Sequence, residues 1–329
     1  GKKRASTKMN YRSLGPIKHV SRLALGGGGI GQVWGATDRD EALATVEAAA
    51  AAGINFFDLA PMYGNGEAER VVGAVYRNGY PDEIKVSTKC MLGDAPAEEI
   101  ADRLRRSLDQ SCERLNRNYV DLFILHGCVM EDGWADALYP KALPRVAVPF
   151  SKYQSRVVPA LQRLKQEGRI GAWGITAAMI PGVDLKVLGQ HHQPDVVQCI
   201  TNPLNSSGSM AMAAQEVDHR GIIKAANESG CGVMGIRAVA AGALTDQLDR
   251  AVKPHSAEQR DFDSAAPFRN LALEFAIPTA QLAYQYALAL ADVDTVVLGV
   301  KNRQELKQAV AAEAFGLSQE MLRRIATLI

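Results

Sequence analysis

Three short apolar runs in the first half of the chain lead into ionisable residues. Asp58 ends the first run and Tyr63 follows closely, Lys89 ends the second, and His126 follows the third. If each run is a buried parallel strand, its last residue emerges at the carboxyl edge of one sheet, where barrel enzymes gather catalytic side chains. The pattern therefore predicts that an acid, a phenol, an amine and an imidazole converge at one edge of the fold.

Strand-like runs alternate with helical patterns along the chain, after a segment at 11–20 that suits a hairpin plug. We predict strands at 23–25, 54–59, 85–89, 120–125, 171–175, 196–200, 233–236 and 295–298. We predict helices at 40–52, 67–77, 96–115, 156–166, 183–188, 222–229 and 280–290. This order, with no Pro/Gly/Ser-rich linker, favours one (β/α)8 TIM barrel over residues 11–329. A doubly wound parallel sheet stays open, because the number of strands does not prove closure.

Two irregular stretches, 127–153 and 238–270, come after the fourth and seventh predicted strands. Both would overhang the carboxyl edge of the barrel, so we expect them to shape the substrate site. Residues 1–10 are basic and lack an apolar segment, and we expect them to form a disordered tail.

Composition excludes several classes of partner. The 37 Lys and Arg residues nearly balance the 36 Asp and Glu residues, which argues against nucleic acid or a membrane surface as the main partner. No apolar stretch approaches the roughly 18 residues that a membrane span needs. We therefore expect a small-molecule partner, and the sequence gives no prediction of the oligomeric state.

The cysteines indicate a compartment rather than a site. Their number is odd and their spacing is unlike that of a metal site or a disulfide framework, which favours the reducing cytoplasm. We expect no bound metal. The five residues are Cys90, Cys112, Cys128, Cys199 and Cys231.

A glycine-rich segment follows the first predicted strand. Gly26, Gly28 and Gly31 fit the G-x-G-x-x-G pattern of dinucleotide-binding Rossmann folds. That motif requires a helix that opens at the glycines, whereas helical periodicity here starts only near Asp40. We interpret the segment as a turn where backbone approaches a ligand or the barrel rim, with Gly27 and Gly28 as candidate cofactor contacts.

The four ionisable residues suit proton transfer to an oxygen. A tyrosine with a pKa near 10 is a poor acid at neutral pH, but the ammonium of Lys89 would favour its phenolate. Asp58 would hold the lysine, and a neutral His126 would orient a substrate oxygen. Each residue alone has a structural explanation, as a cap, a packed ring, a solvated amine or a core histidine.

Residues 58–73 resemble the signature of the aldo-keto reductase superfamily. The pattern D-x-A-x-x-Y-G-x-G-x-x-E-x-x-x-G is matched at every fixed position, and the segments around Lys89 and His126 are similar too. The resemblance implies a (β/α)8 barrel that binds an extended nicotinamide dinucleotide without a Rossmann domain. It implies that Tyr63 is the general acid, that Lys89 and Asp58 tune it, and that His126 orients the carbonyl.

The same resemblance assigns cofactor contacts, with departures from the family pattern. Gln198 would contact the carboxamide, and Thr176 stands where the family has serine, although Ala177 replaces the usual asparagine. Ile236 replaces an aromatic residue that stacks on the nicotinamide. The neighbouring Arg237 is a candidate for a cofactor phosphate or a substrate oxygen, with a carboxylate partner as the alternative.

The segment 299–305 lies where the family binds the adenosine end of the cofactor. Gly299, Lys301 and Arg303 are candidate contacts beside a helix N-terminus, which leaves NADP(H) slightly favoured by family habit. Glu305 would repel a 2′-phosphate and accept a hydrogen bond from a free ribose, which favours NAD(H). Asn302 and Glu305 also form a capping-box pattern, a structural reason for the glutamate.

Aromatic and sulfur side chains near the carboxyl edge suggest a substrate pocket. Trp34, Met62 and Trp134 are our candidates, with Phe150 and Tyr153 as further possibilities that loop packing would equally explain. Arg237 is the one cation among the pocket candidates, so we expect a neutral aldehyde, ketone or sugar.

These observations predict an NAD(P)(H)-dependent oxidoreductase that interconverts a carbonyl and an alcohol. Three alternatives stay open: an aldose dehydrogenase, a cofactor-binding regulatory subunit with little turnover, and a cofactor-free isomerase or lyase. The last would leave Gln198 and the 299–305 segment without a role.

Overall fold

Eight parallel strands close into a barrel in the computed structural model, which describes residues 9–182, 186–189 and 193–328. Closure is made by the last barrel strand, in which Val296 pairs with Leu23 and Leu298 with Leu25 of the first. A doubly wound sheet has two free edges, so this pairing excludes it. The predicted (β/α)8 barrel is confirmed. The barrel strands are Leu23–Gly26, Phe56–Asp58, Lys85–Met91, Val120–His126, Ile170–Ala177, Val196–Ile200, Gly232–Ile236 and Thr295–Leu298.

Helices surround the barrel and cover its apolar outer surface. Helix Ile100–Leu115 is representative, since Leu104 and Leu108 on one face are buried while the opposite face is charged. The helices are Gly27–Ile30, Arg39–Ala51, Glu67–Val75, Ile100–Leu115, Leu143–Val146, Phe150–Lys152, Val158–Gln166, His219–Glu228, Ala257–Ser264, Ala266–Phe275, Thr279–Ala289, Arg303–Ala314 and Gln319–Ala326. The predicted helix at 183–188 lies partly outside the described residues.

A hairpin closes the amino end of the barrel, as the sequence predicts. Strands Tyr11–Leu14 and Ile17–Ser21 pair antiparallel, and Leu14 and Ile17 join the apolar cluster that fills the barrel interior. Met9 is only 6% exposed and the side chain of Asn10 donates to Glu313 over 2.8 Å. Met9 and Asn10, which we included in the tail, therefore contact the rest of the described chain.

The glycine segment differs from our expectation. One helical turn, Gly27–Ile30, opens directly at the glycines, thirteen residues before the predicted start near Asp40. The N–H of Gly31 donates to the Gly27 carbonyl over 2.8 Å and closes the turn, and any side chain at Gly29 would overlap the carbonyl oxygen of Val300. Close packing against the loop after the eighth strand explains the glycine, because no larger residue fits there.

The two long loops follow the fourth and seventh barrel strands, as predicted, but they contain regular structure. Residues 127–153 include a parallel pair of short strands, Cys128–Met130 and Ala147–Pro149. Residues 238–270 include helix Ala257–Ser264, which Ser256 caps by accepting from the Gln259 N–H. The two strands have only three residues each and the helix has eight, too few for a periodic pattern to be recognised in the sequence.

Candidate active site

Lys89 lies at the centre of the carboxyl edge with every N–H occupied. Its Nζ donates to Tyr63 Oη over 3.0 Å and to the Leu59 carbonyl over 2.8 Å, and it forms an ion pair with Asp58 Oδ1 at 3.1 Å. Only 1% of Lys89 is exposed. An ammonium has three N–H donors, so this lysine is held in a single position and fixes the tyrosine hydroxyl.

Asp58 accepts hydrogen bonds from two more side chains, one on the neighbouring strand and one across the barrel. Ser87, its register partner in the next strand, donates its hydroxyl over 2.6 Å. Gln198 reaches across the barrel and donates its amide N–H to both carboxylate oxygens at 3.2 Å. Because Asp58 is buried, these donors replace the water that it loses on folding. The carboxylate is therefore a fixed support for Lys89.

Gln198 and Thr176, both candidate cofactor contacts, bond to protein groups in this structure. The Thr176 hydroxyl lies 3.5 Å from Gln198 Oε1 and 3.4 Å from the Leu125 carbonyl. Both side chains are buried in the barrel interior next to Asp58. Gln198 therefore links the Asp58 carboxylate to the Thr176 hydroxyl.

His126 faces Tyr63 edge-on from the end of the fourth strand. The ring centroids are 6.1 Å apart with an interplanar angle of 79°. Burial, helped by the positive charge of Lys89, lowers the pKa of His126 to about 3. The imidazole is therefore neutral at physiological pH and has one N–H to donate.

Burial works against the phenolate of Tyr63. Desolvation raises the pKa of Tyr63, and Asp58 adds to this, while Lys89 opposes it without overcoming it. Desolvation also disfavours the Lys89 ammonium, but Asp58 and Tyr63 outweigh it, so the pKa of Lys89 is raised. Lys89 lowers the pKa of Tyr63, as we expected, but burial has the larger effect and the net shift is upward. The resting pair is a protonated phenol and a charged lysine.

A tight turn after the second strand places the Tyr63 ring. The Tyr63 N–H donates to the Ala60 carbonyl over 3.1 Å, and Gly64 and Gly66 take φ values of 71° and 87° that other residues rarely adopt. Gly27 lies against the tyrosine, since a Cβ there would be 2.7 Å from its ring. Gly27 therefore sets how closely the first loop approaches the phenol.

Trp34 lies between the loops after the first and eighth strands. Its ring covers Gly28, and its edge is 3.9 Å from the position of a Cβ on Gly299. The Gly299 N–H donates to the Tyr284 hydroxyl over 3.0 Å. Trp34, a candidate for the substrate pocket, therefore lies against Gly28 and near Gly299, two of the candidate cofactor contacts.

Lys301 forms ion pairs with Glu305 and with Asp249, which lies in the loop after the seventh strand. Lys301 Nζ contacts Glu305 at 2.8 Å and Asp249 at 2.9 Å. Asn302 caps the helix by accepting from the Glu305 N–H over 2.8 Å, and Glu305 accepts from the backbone N–H of Lys301 over 3.0 Å. Glu305 therefore has the structural role suggested by its spacing from Asn302, and also a charged partner.

Arg303 takes no part in the ion pairs of Lys301. Its guanidinium pairs with Glu41 of helix Arg39–Ala51 at 2.9 Å. Both side chains are at the surface, so this pair contributes little stability.

Arg237 follows Ile236 at the end of the seventh strand in a left-handed conformation, with φ of 53°. Its Nε is buried without a hydrogen-bond partner among the described residues. Burial lowers the pKa of Arg237, while the charges of Asp261 and Glu258 oppose the shift. No carboxylate lies within ion-pair distance of this guanidinium in the described part of the chain, so its fork is available to another group.

A cavity of about 270 Å³ opens beside the tetrad, by which we mean the side chains of Asp58, Tyr63, Lys89 and His126. Lys89 and His126 lie at one side, and Met62, which is 60% exposed, at its mouth. A larger surface groove of about 700 Å³ lies between helices Glu67–Val75 and Ile100–Leu115, and its lining includes none of the tetrad. The smaller cavity is the candidate substrate site. Its lining residues are Pro61, Met62, Lys89, Cys90, Met91, Arg103, Arg106, Ser107, Gln110 and His126.

The aromatic residues of the fourth-strand loop are placed differently from Met62. Trp134 and Phe150 pack against the main core while partly exposed, and neither lines this cavity. Tyr153 is 2% exposed and lies 6.4 Å from the Trp173 ring. Loop packing, the structural alternative for these rings, accounts for Tyr153.

Four polar residues of the cavity were missed by the sequence reasoning. Arg103, Arg106, Ser107 and Gln110 lie on one face of helix Ile100–Leu115 because they are spaced by three, four and seven residues. That polar stripe is visible in the sequence. Its meaning is not, because a polar helix face is usually solvated.

Within the described ranges, no group of three or more His, Cys, Asp or Glu side chains suits a metal ion. Nor does any described helix have the length and apolarity needed to cross a membrane.

Fold and site together indicate a barrel enzyme, with a phenol, an amine and an imidazole at the carboxyl edge. The chain belongs to the aldo/keto reductase family, whose model matches residues 22–329. It is an oxidoreductase that acts on carbonyl and alcohol groups, and its family uses nicotinamide cofactors.

Among curated proteins, it is 30% identical to L-galactose dehydrogenase from Arabidopsis thaliana, over 98% of this chain and 95% of the relative. It is 31% identical to D-threo-aldose 1-dehydrogenase from a Pseudomonas species, over 47% of this chain and 50% of the relative. The fold matches that of an aldo-keto reductase from Bacillus halodurans in its holo form, with a TM-score of 0.71. That match is 22% identical and covers 97% of this chain and 96% of the other.

Proposed function

We propose that this protein is a nicotinamide-dependent reductase and dehydrogenase in which Tyr63 exchanges a proton with the substrate oxygen. The observation that carries the proposal is the 3.0 Å hydrogen bond from Lys89 to the Tyr63 hydroxyl, with Lys89 itself held by Asp58. A phenol fixed beside a buried ammonium is a proton donor whose conjugate base is stabilised where it forms.

The four side chains would divide the proton chemistry. As a substrate carbonyl is reduced, Tyr63 gives its proton to the developing alkoxide, and the phenolate left behind is stabilised by the Lys89 ammonium. Neutral His126 donates its N–H to the same substrate oxygen and orients it. In the oxidative direction the phenolate accepts the proton from the alcohol. Bound nicotinamide dinucleotide supplies the hydride in reduction and accepts it in oxidation.

The residues around the loops after the first, seventh and eighth strands fit such a cofactor. Gly299 lies next to the Trp34 ring, where a Cβ would be only in van der Waals contact, and the Arg237 Nε is buried without a partner among the described residues. We propose that Arg237 contacts a cofactor phosphate, that Ile236 packs on the nicotinamide, and that Gly28 lets the backbone approach the dinucleotide. Gln198 and Thr176 would face the carboxamide from below.

We propose NAD(H) rather than NADP(H) as the preferred cofactor, against the family habit that slightly favoured NADP(H). Lys301 is already neutralised by Asp249 and Glu305, and Arg303 by Glu41. A 2′-phosphate would have to displace these carboxylates and would be repelled by them. A free ribose hydroxyl meets no such barrier.

A second candidate, oxidation of an aldose, is favoured by one observation. The relative that aligns over nearly the whole chain is named L-galactose dehydrogenase. Sugars are therefore the substrate class that we propose to test first. All five cysteines are buried and none forms a disulfide among the described residues, which suits a reducing compartment and supports a cytoplasmic location.

The test is titration of the purified protein with NADH and NADPH, followed by cofactor fluorescence, and then a panel of aldehydes, ketones and aldoses. We expect both cofactors to bind, NADH more tightly, and at least one aldose to be oxidised with NAD⁺. Failure of both cofactors to bind would overturn the proposal. Tighter binding of NADPH would overturn the cofactor preference alone.

A further inference from the structure

The cavity beside the tetrad has two chemically different sides. One side carries Lys89 and His126, where the reacting carbonyl would lie. The other is built by Arg103 and Arg106 on the polar face of helix Ile100–Leu115. A substrate that fills the cavity therefore meets His126 and Lys89 at one end and guanidinium groups at the other.

The charges of the cavity do not cancel. Lys89 is neutralised by Asp58, and Arg103 by Glu99, at 3.1 and 2.6 Å. Arg106 has no hydrogen bond or ion pair with any described residue, and no aspartate or glutamate lines the cavity. A guanidinium without a protein partner keeps all five of its N–H donors for a ligand.

We propose that Arg106, with Arg103 beside it, binds a carboxylate on the substrate, so that the enzyme prefers acidic sugars or related carboxylate-bearing carbonyl compounds over their neutral analogues. The planar fork of arginine matches a carboxylate through two parallel hydrogen bonds. This inference rests on the proposed function, because it places the reacting carbon beside His126, whose ring centroid lies 6.1 Å from that of Tyr63. It differs from the expectation of a neutral substrate because Arg106 borders the cavity.

The cavity also limits the size of the substrate. Its volume of about 270 Å³ is at the small end for ligand sites, which are roughly 300 Å³ or more. A single sugar fits this range better than an oligosaccharide. A hexuronate combines a reducing carbon with a carboxylate on the same compact ring.

The experiment compares kcat/KM for a hexuronate and for the neutral hexose of the same stereochemistry, at saturating cofactor. Wild type should prefer the hexuronate, and Arg106→Gln should lower that preference about 10-fold, which is the effect of about 1.4 kcal/mol. Arg105→Gln is the matched control, because Arg105 pairs with Glu167 and does not line the cavity. Equal loss in both variants, or a wild-type preference for the neutral sugar, would overturn the proposal.

Charge reversal gives a second readout. Arg106→Glu should turn the preference toward the corresponding hexosamine, whose ammonium would pair with the new carboxylate. If the variant handles hexosamine, hexose and hexuronate in the same ratios as wild type, Arg106 does not contact the substrate.

Calorimetric titration separates this inference from the proposed function. Hexuronate should bind the cofactor-loaded wild type, and Arg106→Gln should weaken that binding about 10-fold whether or not turnover occurs. If binding responds in this way but nothing is oxidised or reduced, the anion site stands and the proposed reaction fails. If neutral sugars turn over while hexuronate neither binds nor reacts better, the reaction stands and the anion site fails.

Discussion

Two lysines at the carboxyl edge show how this protein separates chemistry from cofactor choice. Lys89 and Lys301 each contact two anionic or potentially anionic side chains. Of the partners of Lys89, Tyr63 is partly buried and Asp58 is fully buried, and the Asp58 carboxylate is held by two further donors. The partners of Lys301, Asp249 and Glu305, keep about a third of their surface exposed. The contacts of Lys89 cannot rearrange without a large loss of free energy. The carboxylates that contact Lys301 can instead exchange this partner for water or a ligand.

Removing each lysine should reveal this difference most strongly. Lys89→Met leaves the Asp58 carboxylate buried without its counter-charge, and we expect the free energy of unfolding to fall by about 3–5 kcal/mol. Lys301→Met leaves carboxylates that water still reaches, and the loss should be about 1 kcal/mol or less. Urea unfolding at neutral pH measures both. Similar losses in the two variants would contradict the contrast.

The pH dependence of stability should depend on the buried site. The pKa of His126 in the folded protein is about 3, below its unfolded value near 6.5, so the unfolded state binds more protons between these values. Stability is therefore lost as pH falls through this window. From pH 7 to 5 we expect His126 to account for a loss of about 2 kcal/mol.

The check on this prediction is His126→Gln, compared with wild type by urea unfolding at pH 7 and pH 5. His219, whose pKa is lowered to about 4 by burial and by Arg220, stays in both proteins and contributes equally. The variant should lose less stability than wild type. An equal loss in both would mean that His126 is not desolvated as described.

A change at Glu305, a partner of Lys301, should alter the choice between NADH and NADPH. We expect this effect to be smaller than those at the buried site. Glu305→Arg replaces a carboxylate by a cation where a 2′-phosphate would bind, and we expect affinity for NADPH relative to NADH to rise about 10-fold. Glu305→Gln is the matched control, since glutamine keeps the capping acceptor and removes only the charge. Fluorescence titration gives both affinities. If the ratio is unchanged in the arginine variant, Glu305 only caps the helix.

The contrast also explains what the sequence could and could not predict. Asp58, Lys89 and His126 were predictable as neighbours because parallel strands bring their last residues to one edge. The bond from Gln198 to Asp58 was not, since it crosses the barrel between residues 140 positions apart. Asp249, which pairs with Lys301, lies in a long loop without periodicity, so no sequence pattern predicts this ion pair.

Two features that we did not predict from the sequence depend on contacts between distant residues. Arg106 belongs to an ordinary polar helix face, and only the packing of helix Ile100–Leu115 beside Met62 makes it part of a cavity. The helical turn Gly27–Ile30 contains residues with low helix propensity, and its close contact with Val300 stabilises it instead. Both features depend on distant residues, which local patterns do not record.

The central claim is that the phenol of Tyr63 carries the proton while the cofactor is held elsewhere. Tyr63→Phe tests it by removing one oxygen and leaving the ring against Gly27. The rate of a single turnover should fall by about 10³-fold, and the dissociation constant of the dinucleotide should stay within about twofold. A variant that turns over at the wild-type rate, or that loses cofactor affinity as much as rate, would contradict the account.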